Sequence, residues 1–320
     1  MKKLLIALAA TGVLAQSAFA QAWPTKPVSL VVPFPAGGST DTVARALAQK
    51  MGENLGQSFV VDNRPGATGT IGANQVARAA PDGYTIMVAS LGTYVVAPHL
   101  LSNTPYNALT DFDYISIPVQ APNVLVAPPA QAADTVEKVI ALLQAKPGSV
   151  SFASSGSGSS DHLSAELFWQ QTGTSGMHIP YRGGAPAIND LLGGQVDFSF
   201  QNVNAVLPYI KAGRLKAIAV TGTKRSAVLP EVPTLAEAGV QGADMYSWQG
   251  MAAPKGLPAD VKAKLAEAAI AAIQEPTIRA RFEEQGMEVL ANSPEAFTAF
   301  QAQEFQRWKD LIQARGITAN

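Results

Sequence analysis

Apolar residues along this chain come in two rhythms, short unbroken runs and four-residue periodicities, and their alternation predicts the architecture. Val28 to Val32 is a β-branched run of the length of a buried parallel strand, and Pro33, Pro35, Gly37 and Gly38 stop it. Ser39, Thr40 and Asp41 then offer helix N-caps, and Val43, Leu47, Met51 and Leu55 share one helix face until Gly56 closes the pattern. Phe59 to Asp62 reads as a strand, Arg64 to Gly72 as a glycine-rich loop, Ala73 to Ala80 as a small helix, and Tyr84 to Ala89 as a strand ending at Ser90 to Thr93. This is the βαβ grammar of a parallel sheet, in which Ala36 to Asp41 and Ser90 to Thr93 meet at the carboxyl ends of the strands.

The same grammar restarts after the proline-punctuated segment Pro118 to Pro129. Asp134 is expected to cap a helix with Val136, Val139, Ile140 and Leu143 inward, and Val150 to Ala153 is a strand. The loop Ser154 to Asp161 (SSGSGSSD) and a helix from His162 to Gln171 repeat the opening unit. Strands follow near Met177 to Ile179, Val196 to Phe200 and Leu215 to Val220, with the loop Tyr181 to Ala185 (YRGGA) and helices between them. After a long return, Ser247 to Ala253 reads as a strand, and Pro258, Pro276 and Ser293 with Pro294 open three helices. One strand and three helices make a poor third domain, so the chain is expected to return and complete its first sheet. Residues 21–120 with 242–320 then form one domain and 121–241 a second, with hinge candidates near 118–123 and 221–245.

Each small-residue loop leaves backbone amides unpaired at the positive end of a helix dipole, chemistry that holds an anion without lysine or arginine. One loop alone is an ordinary turn; the pair, one per domain, suggests two helix starts facing across a cleft, suited to a ligand with a carboxylate at each end. Arg182 in YRGGA either pairs with an anion or is solvated or ties its loop, and Phe34 and Trp248 either flank the cleft or pack in the core. Gln201, Asn202 and Asn204 can supply neutral hydrogen bonds or cap a helix.

Composition narrows these options. Residues 1–20 read as a secretory leader: Lys2 and Lys3, the apolar run Leu4 to Ala15, and Ala18, Phe19, Ala20 as the cleavage motif. Export to an envelope compartment is expected, without a lipid anchor, since the chain has no cysteine. Removing Lys2 and Lys3 takes the formal charge from -1 to -3, which argues against nucleic acid. His99, His162 and His178 lack metal-ligand spacing, and no metal or cofactor is expected. Gly156, Ser157, Gly158 begins a G-x-G-x-x-G pattern that Asp161 breaks, so a dinucleotide site is not expected. A secreted serine hydrolase is the enzyme alternative, given five serines in Ser154 to Ser160. The loop lacks G-x-S-x-G, and neighbouring Asp161 and His162 point about 100° apart on a helix, so they cannot orient each other.

PFPAGGSTD (33–41), DNRPGATGTIGA (62–73), AAPDGYT (79–85), ASSGSGSSDHL (153–163), PYRGGAPAINDLLGGQVD (180–197) and PEVPTLAEAG (230–239) occur in this order. In this the chain resembles the Bug-type receptors, the periplasmic substrate-binding proteins of tripartite tricarboxylate transporters. The resemblance implies an α/β, two-lobed periplasmic-binding-protein fold of type II (Venus-flytrap), with two parallel-rich sheets and flanking helices. It implies a non-enzymatic monomer that captures a small carboxylic acid (a di- or tricarboxylate, acidic amino acid or aromatic acid) and delivers it to membrane permease subunits. A receptor feeding a two-component kinase is the alternative. The candidate ligand residues are Phe34, Ala36, Gly37, Gly38, Ser39 and Asp41 in the first loop, with Ser90 and Thr93 beside it. The second loop contributes Ser155, Gly156, Ser157, Ser159, Ser160 and His162, and Arg182, Gly183, Gly184 and Asn202 border the cleft. Gln201 departs from the family pattern, which has an acid there in many members. Valine at Gly37 or Gly38 is expected to abolish binding and leave the fold intact.

Overall fold

Val28–Val32, rich in valine, forms strand β1, buried at every position but the half-buried Ser29, and Pro33 ends it. The computed structural model describes residues 23–319; the leader expected at 1–20 and its cleavage point lie outside the described residues. The chain continues through α1 (Ser39–Leu55), β2 (Phe59–Asn63), a 3-10 turn Ala67–Gly69, α2 (Thr70–Ala77) and β3 (Thr85–Ser90). A π-helical turn, Gly92–Val96, runs into the short α3 (Ala97–Leu100), and β4 spans Phe112–Ala127. Next come α4 (Val136–Ala145), β5 (Ser151–Ser154), α5 (Ser160–Thr172), β6 (Met177–Pro180), α6 (Gly184–Leu192), β7 (Phe198–Asn202), α7 (Val203–Lys211) and β8 (Lys216–Val220). The return supplies β9 (Tyr246–Pro254), α8 (Ala259–Gln274), α9 (Pro276–Glu283), β10 (Glu288–Val289) and α10 (Pro294–Arg315).

Two parallel groups form as expected: β2-β1-β3 in one half and β7-β5-β6 in the other. They are not separate sheets. The strand order β2-β1-β3-β9-β4-β7-β5-β6 is continuous, with β9 and β4 inserted antiparallel at its centre and β8 and β10 paired to β4. β4 belongs to both halves, pairing β9 as far as Pro122 and β7 from Asn123 onward.

The segment read as proline-punctuated is thus mostly strand, and one detail shows how its prolines are tolerated. The register against β9 shifts between Ser116 and Val119, so Pro118 sits at a bulge where no ladder donor is required. The amide of Ile117 donates to Asn292 Oδ1 at 2.6 Å, and the Pro118 carbonyl accepts from Leu290 N at 3.0 Å. The second crossing is knit to the first: Asn123 N donates to Thr221 Oγ1 (2.9 Å), Thr221 N to the Asn123 carbonyl (2.8 Å), and Thr221 Oγ1 to the Met245 carbonyl (2.6 Å).

Both sheet faces are covered. On one, Trp248 stacks on Tyr94 with centroids 5.9 Å apart and Phe297 of α10 meets both rings edge-on. Trp248 is therefore a core residue. Gly250 in β9 makes room for this packing, since a Cβ there would overlap the Phe297 ring. Helix starts differ in detail from the sequence reading. Gly38, not Ser39 to Asp41, is the N-cap of α1, and Thr135 caps α4 while Asp134 pairs with Lys138. Ser293 caps α10 as expected, accepting from Ala296 N.

Candidate functional site

The first loop is shaped by the helix it leads into. Asp41, 3% exposed, turns its carboxylate back toward the loop and accepts from Gly37 N (2.8 Å), Arg45 Nε (2.8 Å) and Asn63 Nδ2 (2.9 Å). Asn63 Nδ2 also donates to the Phe34 carbonyl, joining β2 to both ends of the loop. Burial alone raises the Asp41 pKa, but the hydrogen bonds from Arg45, Gly37 and Asn63 outweigh it and hold the carboxyl below its ordinary range. Gly37 takes the left-handed φ of +85° that this turn requires. Ala36, Gly37 and Gly38 stay exposed, and the first-turn amides from Ser39 to Asp41 have no acceptor within the helix. Ser39 Oγ is buried with no hydrogen-bond partner among the described residues.

The second loop follows the same plan with different atoms. Asp161, 2% exposed, reaches back from the first turn of α5 and accepts from Ser155 N and Ser155 Oγ, each at 2.6 Å. Gln201 Nε2 donates to the same oxygen at 3.1 Å and to Ser199 Oγ at 2.8 Å. Ser159 is the N-cap, and its hydroxyl donates to the Gly156 carbonyl at 2.6 Å. The predicted ligand residue His162 lies behind the loop. Its ring, 3% exposed, stacks on His178 at 3.7 Å, and its Nδ1 accepts from Gly158 N at 3.1 Å. Burial, then the neighbouring His162, pushes the His178 pKa down to about 4. Ser155, Gly156, Ser157 and Ser159 are partly exposed. Ser160 and Asn202 are bonded to each other at 3.0 Å, and Asn202 Nδ2 also reaches Asn123 Oδ1 at 3.0 Å.

YRGGA folds over this loop, with Tyr181 N on the Ser154 carbonyl (2.9 Å) and Gly183 N on that of Ser155 (3.1 Å). A Cβ on Gly184 would lie 3.3 Å from Ser155 Oγ. Arg182 is exposed and has no ion pair among the described residues, so it is not the residue that ties the loop. The hydrolase geometry does not form. Ser154 Oγ is 2.6 Å from His178 Nε2, but Ser154 is 1% exposed, and Asp161 and His162 serve the loop backbone.

The second loop reaches the turn after β3, and Phe34 at the head of the first loop lies beside it. A Cβ on Gly92 would lie 3.6 Å from Ser90 Oγ and 3.8 Å from the Gly158 carbonyl oxygen of the second loop. Thr93 is fully buried, donates to the Thr68 carbonyl at 3.4 Å, and shares with Phe34 the space beside Gly69. Thr68 was outside the predicted set. It and Ala67 hold left-handed φ values of 55° and 47° between Gly66 and Gly69, a strained run of the kind found at ligand clamps. Its sequence signal was the glycine-rich stretch Arg64 to Gly72. Asn204 Oδ1 is buried and has no hydrogen-bond partner among the described residues. Among the described residues no group of three or more His, Asp or Glu side chains is placed to hold a metal ion.

The family model described as the tripartite tricarboxylate transporter family receptor matches residues 43–317. The periplasmic binding protein BugD is 39% identical, with a TM-score of 0.84 over 93% of this chain and 100% of that one. An R. palustris protein solved with adipate is 34% identical, with a TM-score of 0.86 over 93% of this chain and 100% of its own. MatC from Rhodopseudomonas palustris, solved with bound malate, is 32% identical, with a TM-score of 0.83 over 91% of this chain and 100% of its own.

Proposed function

This chain belongs to the tripartite tricarboxylate transporter receptor family, and on that footing we propose that it captures a small dicarboxylic acid and delivers it to the membrane subunits of such a transporter. The family comprises substrate-binding receptors, and the chain is not an enzyme. One observation carries the ligand class. Two strand-to-helix loops are each pinned from behind by a buried aspartate; the second reaches Gly92, and Phe34 at the head of the first shares with Thr93 the space beside Gly69. Both aspartates are occupied by protein donors, so the loops offer amides and hydroxyls, which suit carboxylate oxygens.

Residues 21–120 with 242–320 act as one lobe and 121–241 as the other. Closure turns on β4 near Asn123 and on Thr221, where the two crossings are bonded together. Among the described residues no helix is long and apolar enough to cross a membrane. The basic and apolar leader read in residues 1–20 supports export to the periplasm.

Thermal melts against adipate, malate, citrate, glutamate, benzoate and the neutral diester dimethyl adipate test the ligand class. An acid at about a hundred times its Kd should stabilise by ~2.7 kcal/mol, a shift of several degrees. If the diester shifts the melt as far as adipate, or if no acid shifts it, the carboxylate reading is wrong.

A further inference from the structure

A chain of polar contacts runs from the second loop to the last helix. Gly158 N donates to His162 Nδ1 at 3.1 Å. A ring nitrogen that accepts carries no proton, so the proton of this imidazole is on Nε2. Nε2 lies 3.6 Å from Glu166 Oε1, one helical turn along α5, an electrostatic contact longer than a full hydrogen bond. The other carboxylate oxygen, Oε2, accepts from Arg315 Nε at 2.8 Å.

Arg315 ends α10, which packs on the first half. Phe297 meets Tyr94 and Trp248, Gln301 Nε2 donates to the Tyr94 carbonyl, and His99 Nε2 bonds the Phe305 carbonyl. α5 belongs to the second half, where Trp169 and Phe168 pack on Phe152 of β5 and Phe200 of β7. The Arg315–Glu166 pair therefore crosses between the halves, and it is sheltered, with side-chain exposures of 26% and 13%. Burial alone raises the Glu166 pKa, but His162 and Arg315 outweigh it and hold the carboxyl below its usual range. The loop tip crosses too. A Cβ on Gly158 would fall 2.8 Å from Leu100 Cδ2 and 3.1 Å from Val96 Cγ1, side chains of the first half.

We infer that Arg315 is a positioning residue for the second ligand loop. It latches the halves together through Glu166 and, through Glu166 and His162, sets the Gly158 amide, so that closing the cleft and shaping the loop are one event. This rests on the receptor reading. Opening the cleft parts Arg315 from Glu166, removes the carboxylate's partner, and leaves His162 to turn with the loop it holds. The ligand then leaves a loop that has lost its backing.

The test compares Arg315→Gln, Arg315→Lys and Glu166→Gln with wild type in two independent readouts. Long-range proton–nitrogen NMR of the protein, with and without adipate or malate, reads the ring directly, since the chain holds three histidines. His162 should show Nε2–H and a bare Nδ1 in wild type, shift in Arg315→Gln and Glu166→Gln, and return toward wild type in Arg315→Lys. Calorimetric titration with adipate and with malate should show Arg315→Gln binding on the order of tenfold weaker and Arg315→Lys recovering most of the loss. Unchanged His162 signals in Arg315→Gln overturn the latch. So does a shifted ring with affinity within about twofold of wild type, below the usual range of coupled sites. If wild type binds neither acid, the receptor reading fails for those acids while the histidine signals still decide the latch.

Discussion

Asp41→Asn tests whether the first loop is held by the helix that follows it. In the native arrangement three donors share two oxygens: Gly37 N and Arg45 Nε on Oδ2, and Asn63 Nδ2 on Oδ1. Asparagine keeps one acceptor oxygen and turns the other into an amide NH2 donor. If that oxygen serves Gly37 and Arg45, the NH2 faces the amide NH2 of Asn63; reversed, it faces two donors. A hydrogen bond to a charged acceptor contributes ~1.5–3 kcal/mol. Arg45 is half-exposed, so its share is the small one of a solvent-screened surface pair. Losing one buried bond and the charge on the others should cost ~2–3 kcal/mol near neutral pH.

Urea unfolding followed by tryptophan fluorescence measures this cost, and pH identifies its source. The folded pKa of Asp41 lies below its ordinary 3.8, so its stabilisation is complete above that value and is lost as pH falls through the folded pKa. The gap between wild type and Asp41→Asn should therefore be widest near neutrality and narrow below 3.8. A neutral-pH gap under about 0.5 kcal/mol, the level of an ordinary surface change, would refute the pin. A gap that persists unchanged in acid would show that shape, not charge, holds the loop.

Two further outcomes are expected. Gly38 has an ordinary extended backbone (φ -76°) and its Cβ position is 3.7 Å from the nearest atom, the Pro35 carbonyl oxygen, whereas Gly37 sits at φ +85°. Gly38→Val should lose adipate binding at an unchanged melting temperature, while Gly37→Val should also lose ~1–3 kcal/mol of stability to strain, correcting the expectation that either change spares the fold. Equal melting temperatures for the two variants, measured calorimetrically, would contradict the turn assignment. His178, with a pKa moved from 6.5 to about 4, favours folding fully above 6.5 and progressively less as pH falls toward about 4. The full shift corresponds to ~3 kcal/mol, and the ring's partial exposure reduces this to ~1–2 kcal/mol. His178→Gln should flatten that slope in urea midpoints taken across the window, and an unaltered slope assigns it elsewhere.

What the sequence made legible was local. The run Val28–Val32, the turn residues behind it and the four-residue spacing of Val43, Leu47 and Met51 lie close together, and periodicity reports them directly. β4 was illegible for the opposite reason. Pro118 marks a break unless Asn292, far along the chain, is known to take the amide beside it. The site divides the same way. Gly37, Gly38 and Ser155 to Ser160 announced their loops, but nothing local distinguishes an aspartate that faces ligand from one that reaches back to its own loop, as Asp41 and Asp161 do. Nor does sequence show that His162 faces inward, since His178, the ring it stacks on, comes from a separate strand.

An acid in place of Gln201, as the family resemblance leads one to expect, would put a second carboxylate beside Asp161 Oδ2, where the Gln201 amide now sits at 3.1 Å. Two carboxylates so close cannot both ionise without large cost, so one would hold a proton or require a cationic partner. The glutamine removes that conflict. Its amide donates to Asp161 and to Ser199, leaving Asp161 to hold both donors of Ser155 as a carboxylate. In this fold the glutamine is therefore a support of the loop. Gln201 itself is 2% exposed, so its effect on affinity passes through the setting of Ser155 and the amides that follow it. Ligand preference cannot be carried over from a relative with an acid at this position by adjusting the charge of the cleft alone.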